Sequence, residues 1–73
     1  MSTGTHNQLK TYNYRGFLVS LYWEQHTKWW FYSFYYARFP PPSQPQWSQA
    51  FDLEAQAIEI AEFVIDELLT DYN

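Results

Sequence analysis

The chain has no cysteine, so neither a disulfide framework nor a thiolate metal site is open to it, and a reducing, cytoplasmic setting is the expectation. Its two glycines, Gly4 and Gly16, build neither a nucleophile elbow nor a nucleotide-binding loop. Four basic residues stand against eight acids, and the resulting net charge of −4 disfavours general affinity for nucleic acid. No uncharged apolar run approaches the roughly 20 residues of a membrane span. Residues 1–13 are polar where a secretory signal needs an apolar centre, so no membrane partner is expected.

What is abundant is aromatic surface, 23% of the 73 residues. A chain this short forms one small domain and buries only roughly 60% of its unfolded surface. Rings that each remove on the order of 150–250 Å² from water offset that shortage. They concentrate in Trp29-Trp30-Phe31-Tyr32-Ser33-Phe34-Tyr35-Tyr36-Ala37-Arg38-Phe39. Successive strand residues point to opposite sides, so Trp29, Phe31, Tyr35 and Phe39 share one face while Trp30, Tyr32, Phe34 and Tyr36 share the other. A thin sheet buries only one face within the molecule, and the second calls for a partner.

Residues 1–11 carry almost no apolar side chains and read as a disordered tail, which leaves residues 12–73 as the folded domain. From Tyr14 to Trp23, Phe17, Val19, Leu21 and Trp23 alternate with Leu18, Ser20 and Tyr22, a period of two that marks a strand. Gly16 signals a bulge or a close backbone approach near its start. Glu24 to Lys28 is a short polar break, which joins this strand to the aromatic run as an antiparallel hairpin. The break lacks Asn-Gly or Asp-Gly, so turn type and register stay open, and a slip of one residue exchanges the faces.

Pro40-Pro41-Pro42-Ser43-Gln44-Pro45 ends the sheet, because proline offers no amide donor and holds an extended path. The segment reads as a stiff connector, with a ligand for a proline-reading domain as the alternative. Residues 46–51 suit a short third strand. Asp52 is the expected N-cap of a long helix, and Glu54 favours the positive end of its dipole. Leu53, Ala57, Ile60, Ala61, Val64, Leu68 and Tyr72 recur at helical spacing and predict its apolar stripe.

Catalytic signals are absent. His6 falls in the tail and His26 in a turn, and Ser20, Ser33, Ser43 and Ser48 lack the surroundings of a nucleophile. The chain therefore reads as a non-enzyme without cofactor or metal; four carboxylates for calcium would need a wrapping loop that is not there. Glu59, Glu62, Asp66 and Glu67 read as a solvated helix face, with docking to a basic partner as the alternative. Phe63 falls among acids on the helical wheel.

The order of hairpin, proline-rich loop and "FDLEAQAIEIAEFVIDELL" resembles small bacterial β-β-β-α domains, notably the N-terminal part of HicB-type antitoxins. The resemblance runs from Tyr14 onward and implies the layout alone. The Gly-Leu-Pro-Gly-like turn usual before the helix of that family is missing here, so no site residue carries over. The expected fold class is α+β: a two- or three-stranded antiparallel sheet with one long C-terminal helix packed on one face. The expected function is that of a protein-interaction or regulatory module, a homodimer through Trp30, Tyr32, Phe34, Tyr36, Arg38 and Phe63. The alternative is single-stranded nucleic-acid binding, with bases stacked on the rings and Arg15, Lys28 and Arg38 on phosphates. A third possibility is an apolar ligand held between sheet and helix.

Overall fold

Two tight turns fold the first half of the chain into a meander. In the computed structural model, which describes residues 7–71, strand β1 (Gln8–Tyr14) turns into β2 (Phe17–Glu24), β2 into β3 (Trp29–Tyr36), and a single helix α1 (Glu54–Asp71) follows. The three strands form one antiparallel sheet in the order β1-β2-β3, an α+β architecture. Among the described residues, no helix is long and apolar enough to cross a membrane.

The first turn is Arg15-Gly16, with φ of 52° and 89°. Positive φ at both central residues is the signature of a type I′ turn, whose twist matches that of the strands it joins. Gly16 is thus neither bulge nor mid-strand residue but the second half of a hairpin turn. A Cβ there would also lie 3.3 Å from Cε1 of Tyr36. The second turn is closed by Glu24, whose carbonyl accepts from the Lys28 amide at 2.7 Å. Its carboxylate accepts from the Thr27 amide and hydroxyl at 2.8 and 2.9 Å, and Lys28 takes the left-handed φ of 63°.

Residues 8–11, expected to belong to a disordered tail, lie in β1, which begins at Gln8. What holds β1 is backbone pairing with β2, from Gln8↔Trp23 to Tyr14↔Phe17, and polar ties to the helix, so its low apolar content did not keep it from ordering. Residues 1–6 of the expected tail lie outside the described residues. Residues 46–51 do not make a strand; they touch the outer edge of β3 through one bridge, Trp30↔Phe51, and a bond from the Ser48 amide to the Tyr32 carbonyl at 2.8 Å.

Register decides the faces. Phe17↔Tyr36, Val19↔Phe34, Leu21↔Tyr32 and Trp23↔Trp30 stand opposite each other, and α1 packs on their side. Val19, Leu21, Ala57, Ala61 and Ile65 are buried; Tyr12, Tyr14, Phe17, Tyr32, Phe34 and Leu69 pack around Val19, Ala61 and Ile65. Each of the larger aliphatic side chains contributes about 1.5–3 kcal/mol by leaving water. The methyl groups of Ala57 and Ala61 leave room for the helix to approach the rings closely.

The helix is rotated from its expected orientation. Its buried line runs Ala57, Ala61, Ile65, whereas Ile60 and Leu68 are each 38% exposed and Leu53 is 59% exposed. That rotation carries Glu54, Glu62 and Asp66 towards β1, where they find partners, so Glu62 and Asp66 do not belong to a solvated face. Glu59 and Glu67 remain exposed. The carbonyl of Leu53 takes the first helical bonds, from Gln56 at 3.1 Å and Ala57 at 3.3 Å, which places Asp52 one residue ahead of the capping position. Tyr72 lies outside the described residues.

Candidate interaction surface

The sheet presents two unlike faces and two unlike edges. On the helix side, a polar seam joins β1 to α1. Lys10 Nζ donates to Glu54 at 2.7 Å, the Tyr12 hydroxyl to Glu62 at 3.1 Å, and the Tyr14 hydroxyl to Asp66 at 3.0 and 3.2 Å. Arg15 adds a bond to Asp66 at 2.8 Å. Burial, reinforced by the bond to Glu62, pushes the Tyr12 phenol well above its usual range. The bond to Asp66 raises Tyr14 in the same way. The Arg15 guanidinium, with Tyr14 behind it, holds the Asp66 carboxyl below the ordinary carboxylate range.

Among the described residues, no helix lies over the opposite face. Register sets three rows across it: Leu9, Tyr22 and Phe31; Thr11, Ser20 and Ser33; and Asn13, Leu18 and Tyr35. The middle row is a trough of small hydroxyl side chains between bulkier walls. Trp47 swings round from the β3 edge to within 5.5 Å of the Tyr22 ring, and Tyr22 in turn lies 6.2 Å from Phe31. Ser33 is buried beside this cluster. Asn7 fixes one end, donating to the Tyr22 hydroxyl at 2.5 Å while its carbonyl accepts from the Gln25 amide at 2.9 Å. Leu9, Trp29 and Trp47 are the exposed large apolar groups here, at 63%, 45% and 40%.

The six residues expected to form the interaction surface are divided by this geometry. Trp30, Tyr32, Phe34 and Tyr36 lie on the helix-covered face, half-buried, because the β2–β3 register aligns them with Trp23, Leu21, Val19 and Phe17. The uncovered set is therefore the other one, Trp29, Phe31 and Tyr35. Arg38 is exposed beyond the end of β3, and Phe63 projects from the outer side of the helix, 58% exposed. Tyr36 does line an open apolar groove of about 490 Å³ with Phe17, Phe39, Leu68 and Leu69 at the C-terminal end of α1. Sequence reasoning missed Tyr22, Trp47 and Leu9; Tyr22 was legible as the alternate position of its strand, whereas Trp47 reaches the face only by the path of the loop.

Of the other residues singled out, His26 and Ser43 are exposed and His6 lies outside the described residues. Among the described residues, no three His, Cys, Asp or Glu side chains gather closely enough to hold a metal ion. Comparison with protein-family models, with curated proteins and with solved structures finds no match to this chain.

Proposed function

We propose that the chain is a small non-catalytic interaction module that self-associates through the sheet face opposite its helix. The observation that carries this reading is the apolar cluster at one end of that face: Leu9, Tyr22, Trp29, Phe31 and Trp47 lie together there with no helix over them among the described residues. Contiguous exposed apolar surface of this kind marks interaction sites. Two-fold association suits it, since one patch then serves both copies.

Sedimentation equilibrium tests the reading. The chain should associate at micromolar concentration, and Phe31→Ser, which removes the central ring of the cluster, should lower the mass by half or more. A wild-type chain that stays monomeric at high concentration overturns the reading. So does a mass unchanged by Phe31→Ser. Retention of a short single-stranded oligonucleotide on the same face would promote the stacking alternative, which draws less support here because Arg15, one of the three cations it calls on, is engaged with Asp66.

A further inference from the structure

The outer edge of β3 is occupied by the chain itself, and the outer edge of β1 is open among the described residues. Trp30 exchanges both backbone bonds with Phe51 at 2.8 Å, and Tyr32 is bonded through its carbonyl and amide to Ser48. In β1 the ladder to β2 runs through alternate residues. The type I′ turn makes Tyr14 and Phe17 a hydrogen-bonded pair, so Tyr12, Lys10 and Gln8 follow suit. The amides and carbonyls of Leu9, Thr11 and Asn13 consequently point away from the sheet.

We propose that β1 pairs antiparallel with β1 of a second copy, joining the two sheets into one of six strands. This contact goes beyond face-mediated association and does not depend on it, because a strand edge and a sheet face are different surfaces. Three features favour it. The first is the lack of the usual guards of a strand edge, which are proline, a bulge or an outward lysine. β1 has no proline, and its lysine, half exposed, is held over the helix side of the sheet by Glu54, with Nζ 5.5 Å from the centre of the Trp30 ring, and does not project past the strand edge.

The second is register. Centring the two-fold axis on Thr11 engages all three outward residues, with Thr11 opposite the partner's Thr11 and Leu9 opposite the partner's Asn13. A shift in one direction sets Lys10 against its own copy, a like-charge pair that disfavours pairing, and a shift in the other sets Tyr12 against its own copy and draws the two Glu62 carboxylates, each bonded to a Tyr12 hydroxyl, towards each other. The Thr11-centred register instead sets Lys10 across from the partner's Tyr12, whose hydroxyl is bonded to a carboxylate. Charge complementarity therefore selects the register with the most hydrogen bonds. The third is continuity: the Thr11, Ser20, Ser33 row would run unbroken across both copies, with a threonine pair at its centre.

Thr11→Pro tests the contact. It removes an outward amide without touching the internal ladder, a place where a strand tolerates proline. In the Phe31→Ser background, which removes the face contact, the protein should remain dimeric, and adding Thr11→Pro should make it monomeric. A monomeric Phe31→Ser chain overturns the edge contact, as does a double variant that stays dimeric. The face reading fails separately, if Phe31→Ser leaves the wild-type mass unchanged. Should the double variant not fold, amide exchange in the Phe31→Ser protein decides. Leu9, Thr11 and Asn13 should exchange at least tenfold more slowly at high concentration than at low, and rates independent of concentration overturn the proposal.

Discussion

The hydroxyl of Tyr14 donates to both carboxylate oxygens of Asp66, at 3.0 and 3.2 Å, fastening the end of β1 to the later turns of the helix. Arg15 reaches the same carboxylate from the adjoining turn at 2.8 Å. One acid thus ties together a strand, a turn and a helix, at the end of the seam that Lys10–Glu54 and Tyr12–Glu62 begin.

Stability should depend on pH at both ends of the scale. Asp66 is held below its ordinary value of 3.8 in the folded state, so its contribution is present above that pH and is lost as pH falls through the lowered value. Tyr12 and Tyr14 are raised above 10.0, so theirs is present below that pH and is lost as pH rises through the raised values. Thermal melts should show a plateau between these limits. Combining Arg15→Gln with Tyr14→Phe should flatten the acid limb, and an acid limb identical to the wild type would refute the assignment to Asp66.

The helix orientation is testable by two truncations. Ile65 is fully enclosed, and Ile65→Ala should cost about 2–5 kcal/mol through lost burial and a cavity. Leu68, expected in the core from spacing alone, is 38% exposed, and Leu68→Ala should cost about 1 kcal/mol. Urea titrations giving the reverse order would rotate the helix back.

Gly16→Ala should destabilise the protein by about 1–2 kcal/mol, because its left-handed φ of 89° penalises a Cβ and the added atom presses on Tyr36. Gly16→Asn should lose less, since asparagine visits that region more readily. Equal midpoints for wild type and Gly16→Ala in chemical denaturation would contradict the turn geometry.

Short single-stranded DNA or RNA should not bind at about 0.15 M salt, where exposed charges more than roughly 8 Å apart are largely screened. A fluorescence titration showing micromolar affinity that weakens with salt and with Arg38→Glu would reverse this expectation.

The two later strands, the helix and the α+β class were legible because period-two and period-3.6 patterns run through them. β1 was not, since only Tyr12 and Tyr14 of it pack on the core, and the rest of its order comes from hydroxyl–carboxylate bonds and backbone pairing, which leave little apolar pattern. The choice of aromatic face was illegible for a related reason: it hangs on the four-residue turn after Glu24, and nothing in Gln25-His26-Thr27-Lys28 announces a left-handed Lys28. The Arg15-Gly16 turn was readable in principle from its glycine. The helix rotation escaped because Glu62 and Asp66 resemble a solvated row until tyrosines are placed opposite them.

In the order β1-β2-β3, every spatial neighbour is also a sequence neighbour, so the sheet can zip outward from its two turns. The bonds from β1 to the helix span 44 to 52 residues and form only once the intervening chain has closed. Interactions that form after the folding barrier govern the unfolding rate and leave the folding rate nearly untouched. In stopped-flow experiments, Tyr12→Phe should accordingly unfold faster than the wild type and refold at a similar speed. The tyrosine seam should then act as a latch on a structure already assembled, setting how long the native state lasts while the turns set how quickly it is reached.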